Sequence, residues 1–403
     1  MGTPHSEPVD LLHPLMSVTF LHTADWQLGK PFASTPDETK RHRLREQRLQ
    51  TVRDLAATVA ETGAAFVVVA GDLFDSSHAT KATVSAACGA IGSLKVPVLV
   101  IPGNHDHGGP GSIWEQEFFR REREQLAPNL RVLLSPEPLI LETCVVFPAP
   151  LLRRHEPGDP TAWIRAAAAD PSLPSALPRI VIAHGTIQGF GSVQDDEDGG
   201  SPVVNWIDLS SLPGDDLDYI ALGDWHGTKE VGAKAWYSGT PEIDRFPKSE
   251  GNAPGHILKV TAGRGQPPQV ERIATGRFGW KESAFRFSDD ASLDLFATQL
   301  DELIGQRGDD HLLLLTLEGS LGIEAAGRLE KILESWESRL LRLKLDQRVS
   351  IAPSEEEIAA LTRGADDPLI ATVAGQLVSE IQGDSDEAAI ARLALRELYA
   401  ALT

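Results

Sequence analysis

Short runs of valine, isoleucine and leucine punctuate the first 260 residues, at 18–22, 65–70, 97–101, 143–147, 179–183, 218–222 and 255–260. Each run is five or six residues long. That is too short for a stable helix and rich in β-branched side chains, so each predicts a buried strand. Several end directly in Gly, Asp, His or Asn. Segments 36–62, 78–94 and 111–126 instead bring apolar residues round at helical spacing. The alternation predicts an α/β fold whose sheets are covered by helices. Residues 155–178, rich in Pro and Ala, and the acidic, glycine-rich 189–202 read as surface loops. Residues 1–16 read as a disordered extension.

The pattern changes near residue 275. LDLFATQLDELI is helical, HLLLLTLEG is a strand, and GRLEKILESWESRL is a helix with Leu329, Ile332, Leu333 and Trp336 on one face. LLRLKL is a further strand, so 275–352 reads as a small α+β domain. Residues 353–403 read as a helical tail, whose last helix carries Ile390, Leu393, Ala394, Leu398 and Leu402 as an apolar face.

A chain of 403 residues, 41% hydrophobic, can bury two or three cores. No apolar run reaches the length of a membrane span, and the first residues lack the pattern of a secretory signal. Cys88 and Cys144 are too few and too far apart for a disulfide framework or a zinc knuckle. They read as packing thiols, and a reducing, cytoplasmic setting fits. The net charge of −21 excludes non-specific coating of nucleic acid. It leaves room for a nuclease, because a metal centre and a local basic patch act within a screening length of roughly 8 Å.

Five segments place metal-type ligands where an apolar run ends. They are FLHTADWQLG with Asp25 and Gln27, VVVAGDLFDSS with Asp72 and Asp75, VLVIPGNHDHGG with Asn104 to His107, IVIAHGTI with His184, and DYIALGDWHGT with Asp224 and His226. Ligands at strand carboxyl ends converge on one edge of an open sheet. Glycine beside a ligand lets backbone approach closely. A single GD or GNH is mostly a turn, whereas five such ends in series mark a metal centre.

The order GD, GNHD, a lone His, then G-x-x-H resembles the calcineurin-like metallophosphoesterases. LHTADWQLGK, the GDLFDS form and the small C-terminal domain are similar to the SbcD and YhaO group of DNA repair nucleases. The motifs cover about 17–245, and the remainder matches in outline. The resemblance implies a four-layer sandwich of two sheets flanked by helices over 17–274, a capping domain over 275–352 and a tail over 353–403. It implies two divalent metals, with Asp72 bridging them. Asp25, Gln27 and His226 would complete one site; Asn104, His184 and Asp224 would complete the other. His105 matches the catalytic histidine beside the scissile phosphate. The implied reaction is hydrolysis of DNA phosphodiesters by metal-activated water, as an exonuclease with single-strand endonuclease activity. The implied partners are an SbcC-like coiled-coil ATPase and a second copy of the chain.

Two cations fit this chemistry because a phosphodiester is anionic and both reacting oxygens need a clamp. The chain departs from the family pattern at Gln27 and Asp224, each an oxygen donor where an imidazole is usual. Oxygen donors shift the preference toward Mn²⁺ or Mg²⁺ and away from zinc. In KRHRLREQRLQTVR, Arg41, Arg45 and Arg48 fall at i, i+4 and i+7 and form a candidate DNA-binding face. Trp26 and Trp225 stand beside ligands, where each could stack on a base or pack in the core. His22 reads as a packing residue. Two rival readings stay open: a phosphodiesterase acting on small nucleotides, and a scaffold subunit with a degenerate site.

Overall fold

The computed structural model describes residues 16–187, 205–246, 253–305, 307–363, 368–381 and 385–402. The expected acidic loop at 189–202 and nearly all of the expected N-terminal extension lie outside them. The chain divides into two compact units, Met1–Arg277 and Phe278–Thr403.

The first unit runs β1 (Ser17–Thr23), α1 (Glu38–Thr62), β2 (Val67–Ala70), α2 (Lys81–Ser93), β3 (Val98–Ile101), α3 (Glu117–Leu126), β4 (Leu130–Val132), β5 (Leu139–Ile140), β6 (Val145–Ala149), α4 (Ile164–Ala168) and β7 (Arg179–His184). It continues through β8 (Thr186–Ile187), β9 (Trp206–Ile207), β10 (Tyr219–Gly223), β11 (Lys229–Gly232), β12 (Ala235–Tyr237), β13 (His256–Gly263) and β14 (Gln269–Ala274). Two six-stranded sheets result, ordered β14-β13-β1-β2-β3-β4 and β11-β12-β10-β7-β6-β5.

Strand periodicity explains the layering. Val67 and Val69 on β2 face outward onto Val52, Leu55 and Val59 of α1 and Ile91 of α2. Val68 and Ala70 face inward, where Phe20, Leu99, Val146, Ile182 and Tyr219 close the space between the sheets. The outer face of the second sheet is covered by Ile164 and Ala168 of α4, with Leu173 and Leu177. The segment 155–178 is therefore the fourth layer and not a surface loop: its prolines separate apolar residues that the sheet buries. Each fully buried Val, Leu, Ile or Phe contributes about 1.5–3 kcal/mol. Cys88 and Cys144 are buried among these layers, and burial raises their thiol pKa values to about 11 and about 12. Among the described residues no helix is long and apolar enough to cross a membrane.

The second unit opens with β15 (Gly279–Phe287), α5 (Ser292–Ile304), β16 (His311–Leu321), α6 (Ile323–Arg339) and β17 (Arg342–Ile351). All three strands are parallel, ordered β15-β16-β17, because a helix carries the chain back across each connection. The tail forms α7 (Glu355–Arg363), α8 (Pro368–Glu380) and α9 (Asp386–Leu402). Leu361, Ala374 and Leu395 bury against Ile323, so the tail packs on its own unit. The buried face of α9 is Ala388, Ala391 and Leu395. Of the face read from the sequence, Leu398 packs against this cluster, whereas Ile390 and Leu393 are 66% and 49% exposed.

Candidate metal centre

The first two ligand loops are stitched together along their backbones. Asp25 N donates to Gly71 O, Gln27 N to Asp72 O, and Leu28 N to Leu73 O, at 2.8–3.1 Å. This pairing holds Asp25, Gln27 and Asp72 in left-handed backbone, at φ of 53°, 41° and 54°, and Asp224 lies at 98°. Such conformations cost on the order of 1–3 kcal/mol each and collect where function fixes a side chain. Glycine is required beside them. A Cβ on Gly71, whose φ is +92°, would lie 2.1 Å from His184 Nδ1, and one on Gly103 would lie 2.1 Å from Asp72 Oδ1.

The five strand ends meet. Asp25, Asp72 and His184 are buried and bring ligand atoms within 4.8 Å of one another. His184 Nε2 lies 3.1 Å from Asn104 Oδ1 and 3.7 Å from both Asp72 Oδ2 and Asp224 Oδ1. Atoms bound about 2.1 Å from one cation sit about 2.9–3.4 Å apart, so this set fits a divalent ion with small adjustments. The imidazole is pre-set for the role: Nδ1 donates to Ala70 O at 2.8 Å, which leaves Nε2 facing the carboxylates. Thr186 Oγ1 donates to Asp224 Oδ2 at 2.9 Å and fixes that carboxylate.

Gln27 and His226 are arranged differently. His226 Nε2 lies 4.0 Å from Asp25 Oδ1, and Nδ1 donates to the buried Asp244 carboxylate at 3.1 Å. Gln27 Oε1 accepts from Lys30 Nζ at 2.8 Å. Gln27 Nε2 lies 3.4 Å from His226 Nε2, and Lys30 Nζ pairs with Asp244 Oδ2 at 3.0 Å. The oxygen expected as a donor at position 27 is engaged here by an ammonium.

His105 reaches the centre through two fixed bonds. Its backbone N donates to Asp72 Oδ1 at 2.9 Å, and its Nδ1 donates to Asp75 O at 2.8 Å. Nε2 is left 3.9 Å from Asp72 Oδ2, on a ring one-third exposed. Asp106 is a buried brace whose carboxylate accepts from Gly103 N and Phe74 N, tying the second and third loops together.

Arg48 is not available to DNA. It is 2% exposed, and its guanidinium donates to the carbonyls of Asp25, Trp26 and Glu242. On α1 it lies four residues from both Leu44 and Val52, on the face turned to the sheet, and it clamps the first ligand loop to the loop that carries Asp244. Arg41 and Arg45 both pair with Glu38, and Arg41 also donates to Thr35 O and Pro36 O. Trp26 is buried with Nε1 bonded to Thr23 Oγ1, so it is a core residue. Trp225 is half-buried against the outer core of the second sheet. His22 is buried, its ring nitrogens bonded to Tyr219 Oη and Leu222 O, as a packing role requires.

The centre carries excess negative charge that protons relieve. Burial first, then the Asp72 and Asp224 carboxylates, push the Asp25 pKa up to about 8. Burial opposes the charge on His184, but Asp72, Asp25 and Asp224 outweigh it and raise its pKa to about 9. Both shifts mean that the folded, cation-free chain binds more protons near neutrality than the unfolded chain does. The stability these two groups contribute should therefore fall as pH rises from the ordinary carboxylate range through about 9. A divalent cation must displace the same protons, so its affinity should rise over that range. Titration calorimetry in two buffers of different ionisation enthalpy should show proton release on Mn²⁺ binding at pH 7. No release would mean that Asp25 and His184 are already deprotonated.

Residues 18–253 match the calcineurin-like phosphoesterase family. Among solved structures the chain is similar to TT1561 of Thermus thermophilus, at 13% identity over 64% of this chain and 99% of that one, with a TM-score of 0.38. A second crystal structure is 16% identical over 64% of this chain and all of its own, also at 0.38. The family match spans the second sheet, β1 to β4 of the first and every ligand loop described above, and the family's chemistry is metal-dependent hydrolysis of phosphoesters. The chain belongs to the calcineurin-like phosphoesterase family.

Proposed function

We propose that this hydrolase is a cytoplasmic DNA nuclease of the SbcD and YhaO type, with Mn²⁺ as its best activator. The observation that carries the hydrolytic reading is the buried set Asp25, Asp72 and His184, joined by Asn104 and Asp224, at the carboxyl ends of the strands. Divalent cation bound there supplies charge neutralisation of the phosphate and activation of water. His105, fixed through Nδ1, presents Nε2 to the leaving oxygen and donates its proton. The finer reading rests on the form of the first two motifs and on the second unit after the phosphoesterase domain. Arg41 and Arg45 meet the backbone of the strand. Cleavage of linear DNA, tested beside cyclic nucleotides with Mn²⁺, decides the substrate class. Turnover of cyclic nucleotides alone would replace the DNA reading with that of a small-nucleotide phosphodiesterase.

The same reading gives the tail an ATPase partner. Val373 on α8 and Ile390 and Leu393 on α9 are exposed apolar side chains on helices whose other faces are already packed. Such residues suit a hydrophobic partner surface, and the acidic tail suits a basic coiled-coil root. Replacing Ile390 and Leu393 with Asp should change stability by less than about 1 kcal/mol, as surface substitutions do. It should abolish co-purification with a coiled-coil ATPase. Unchanged co-purification would place the contact elsewhere.

A further inference from the structure

Four side chains close a ring beside the carboxylate cluster. Lys30 Nζ donates to Gln27 Oε1 at 2.8 Å, and Gln27 Nε2 faces His226 Nε2 at 3.4 Å. His226 Nδ1 donates to Asp244, and Asp244 returns to Lys30 at 3.0 Å. Two of the donors that a cation at the first family position would need, Gln27 Oε1 and His226 Nε2, are already engaged, and Asp25 and Asp72 alone remain to it. The Gln27 oxygen holds an ammonium, and the His226 Nε2 lone pair faces the Gln27 amide hydrogens. A cation placed there would also stand near the Lys30 charge, and like charges repel.

The other position is built in the opposite sense. Asp72 Oδ2, Asp224 Oδ1, Asn104 Oδ1 and His184 Nε2 converge, and the ion pairs of Asp72 and Asp224 there are with histidines. We infer that this chain binds one divalent cation tightly, at the Asp72, Asn104, His184 and Asp224 position, and that the Lys30 ammonium stands in place of a second. Lys30 is well placed for that work. Its Nζ lies 4.0 Å from Asp75 Oδ1, and the carbonyl of the same residue holds His105. A fixed ammonium beside the proton donor can hold a substrate phosphate oxygen, as lysine clamps do on transferring phosphoryl groups.

The inference rests on the metal-dependent reading above, and the test separates the two. Full-length protein, stripped of cations and dialysed against saturating Mn²⁺, is assayed for Mn per chain by elemental analysis. Its electron paramagnetic resonance spectrum is recorded as well. One Mn per chain with a mononuclear spectrum is expected, and Asp72→Asn should lose it. The double variant Gln27→His, Lys30→Met should bind two Mn per chain and show exchange coupling. Two coupled Mn ions in the wild type would overturn the inference and leave the metal-dependent reading standing. No bound Mn would overturn both. The wild-type count needs no variant and decides by itself. A folded double variant that stays at one Mn would show that Lys30 and Gln27 do not close the position.

Discussion

Asp72→Ala is expected to remove cation binding and phosphoester hydrolysis together, with activity falling below about 1% of wild type, because the charge clamp on the phosphate goes with the cation. Asp72 Oδ2 faces His184 and His105, its Oδ1 accepts the His105 amide, and its carbonyl accepts Gln27 N. The fold should survive. The substitution loses one side-chain hydrogen bond, about 1 kcal/mol net. It relieves repulsion with Asp25 and at the same time removes the attraction that favours the His184 imidazolium, so the two charge effects oppose each other. Cation-free wild type and variant should therefore melt within a few degrees of each other, while only the wild type gains stability on adding Mn²⁺. A variant that keeps more than a few per cent of Mn²⁺-dependent activity would remove Asp72 from the centre.

The ligand loops were legible because each follows a short, largely buried apolar run, the signal a parallel strand gives. The same rule explains what stayed hidden. Asp244 follows β12, which lies parallel beside β10, so it too sits past a strand end. That strand is the three residues Ala235–Tyr237, too short for any periodicity to show. Lys30 lies inside the first motif, but nothing in a sequence says that its ammonium will fold back onto Gln27. Arg48 carries a readable warning. Its charge places it with Arg41 and Arg45, yet Leu44 and Val52 flank it at i−4 and i+4, and a buried face runs through it. Position on the helix, not charge, decides where its guanidinium goes.

The second unit was legible where apolar residues dominate and obscure where they do not. β16 contains LLLLTL and is plain. β15, GWKESAFRF, mixes charged and apolar residues because it is an edge strand with much of its surface exposed. The last helix misleads because alanine is counted as weakly apolar. Ala388 and Ala391 are the residues that let α9 approach its neighbours, so the larger Ile390 and Leu393 are left outside.

His105→Ala should lower the rate by about 10²–10⁴ while cation affinity stays within a few-fold, the range expected when a general acid is lost. The geometry separates this role from that of a ligand. Nδ1 is committed to Asp75 O at 2.8 Å, and the ring is one-third exposed where the candidate ligand His184 is buried. Burial lowers the His105 pKa, but the Asp72 charge and the Asp75 carbonyl outweigh it, and the net shift is upward. The ring therefore holds its proton to higher pH than an ordinary histidine, as a donor to an alkoxide must. The decisive comparison is between leaving groups. A sugar alkoxide needs a proton to depart, whereas nitrophenolate, a far weaker base, does not. The variant should lose its full factor on a DNA strand and less than about tenfold on bis-nitrophenyl phosphate, because no proton is transferred in that transition state. The wild-type rate on DNA should fall at high pH as the ring loses its proton, and this limb should vanish in the variant. Equal losses on both substrates would mean that His105 holds the phosphate and does not protonate the leaving group. Loss of bound Mn²⁺ in His105→Ala would make it a ligand.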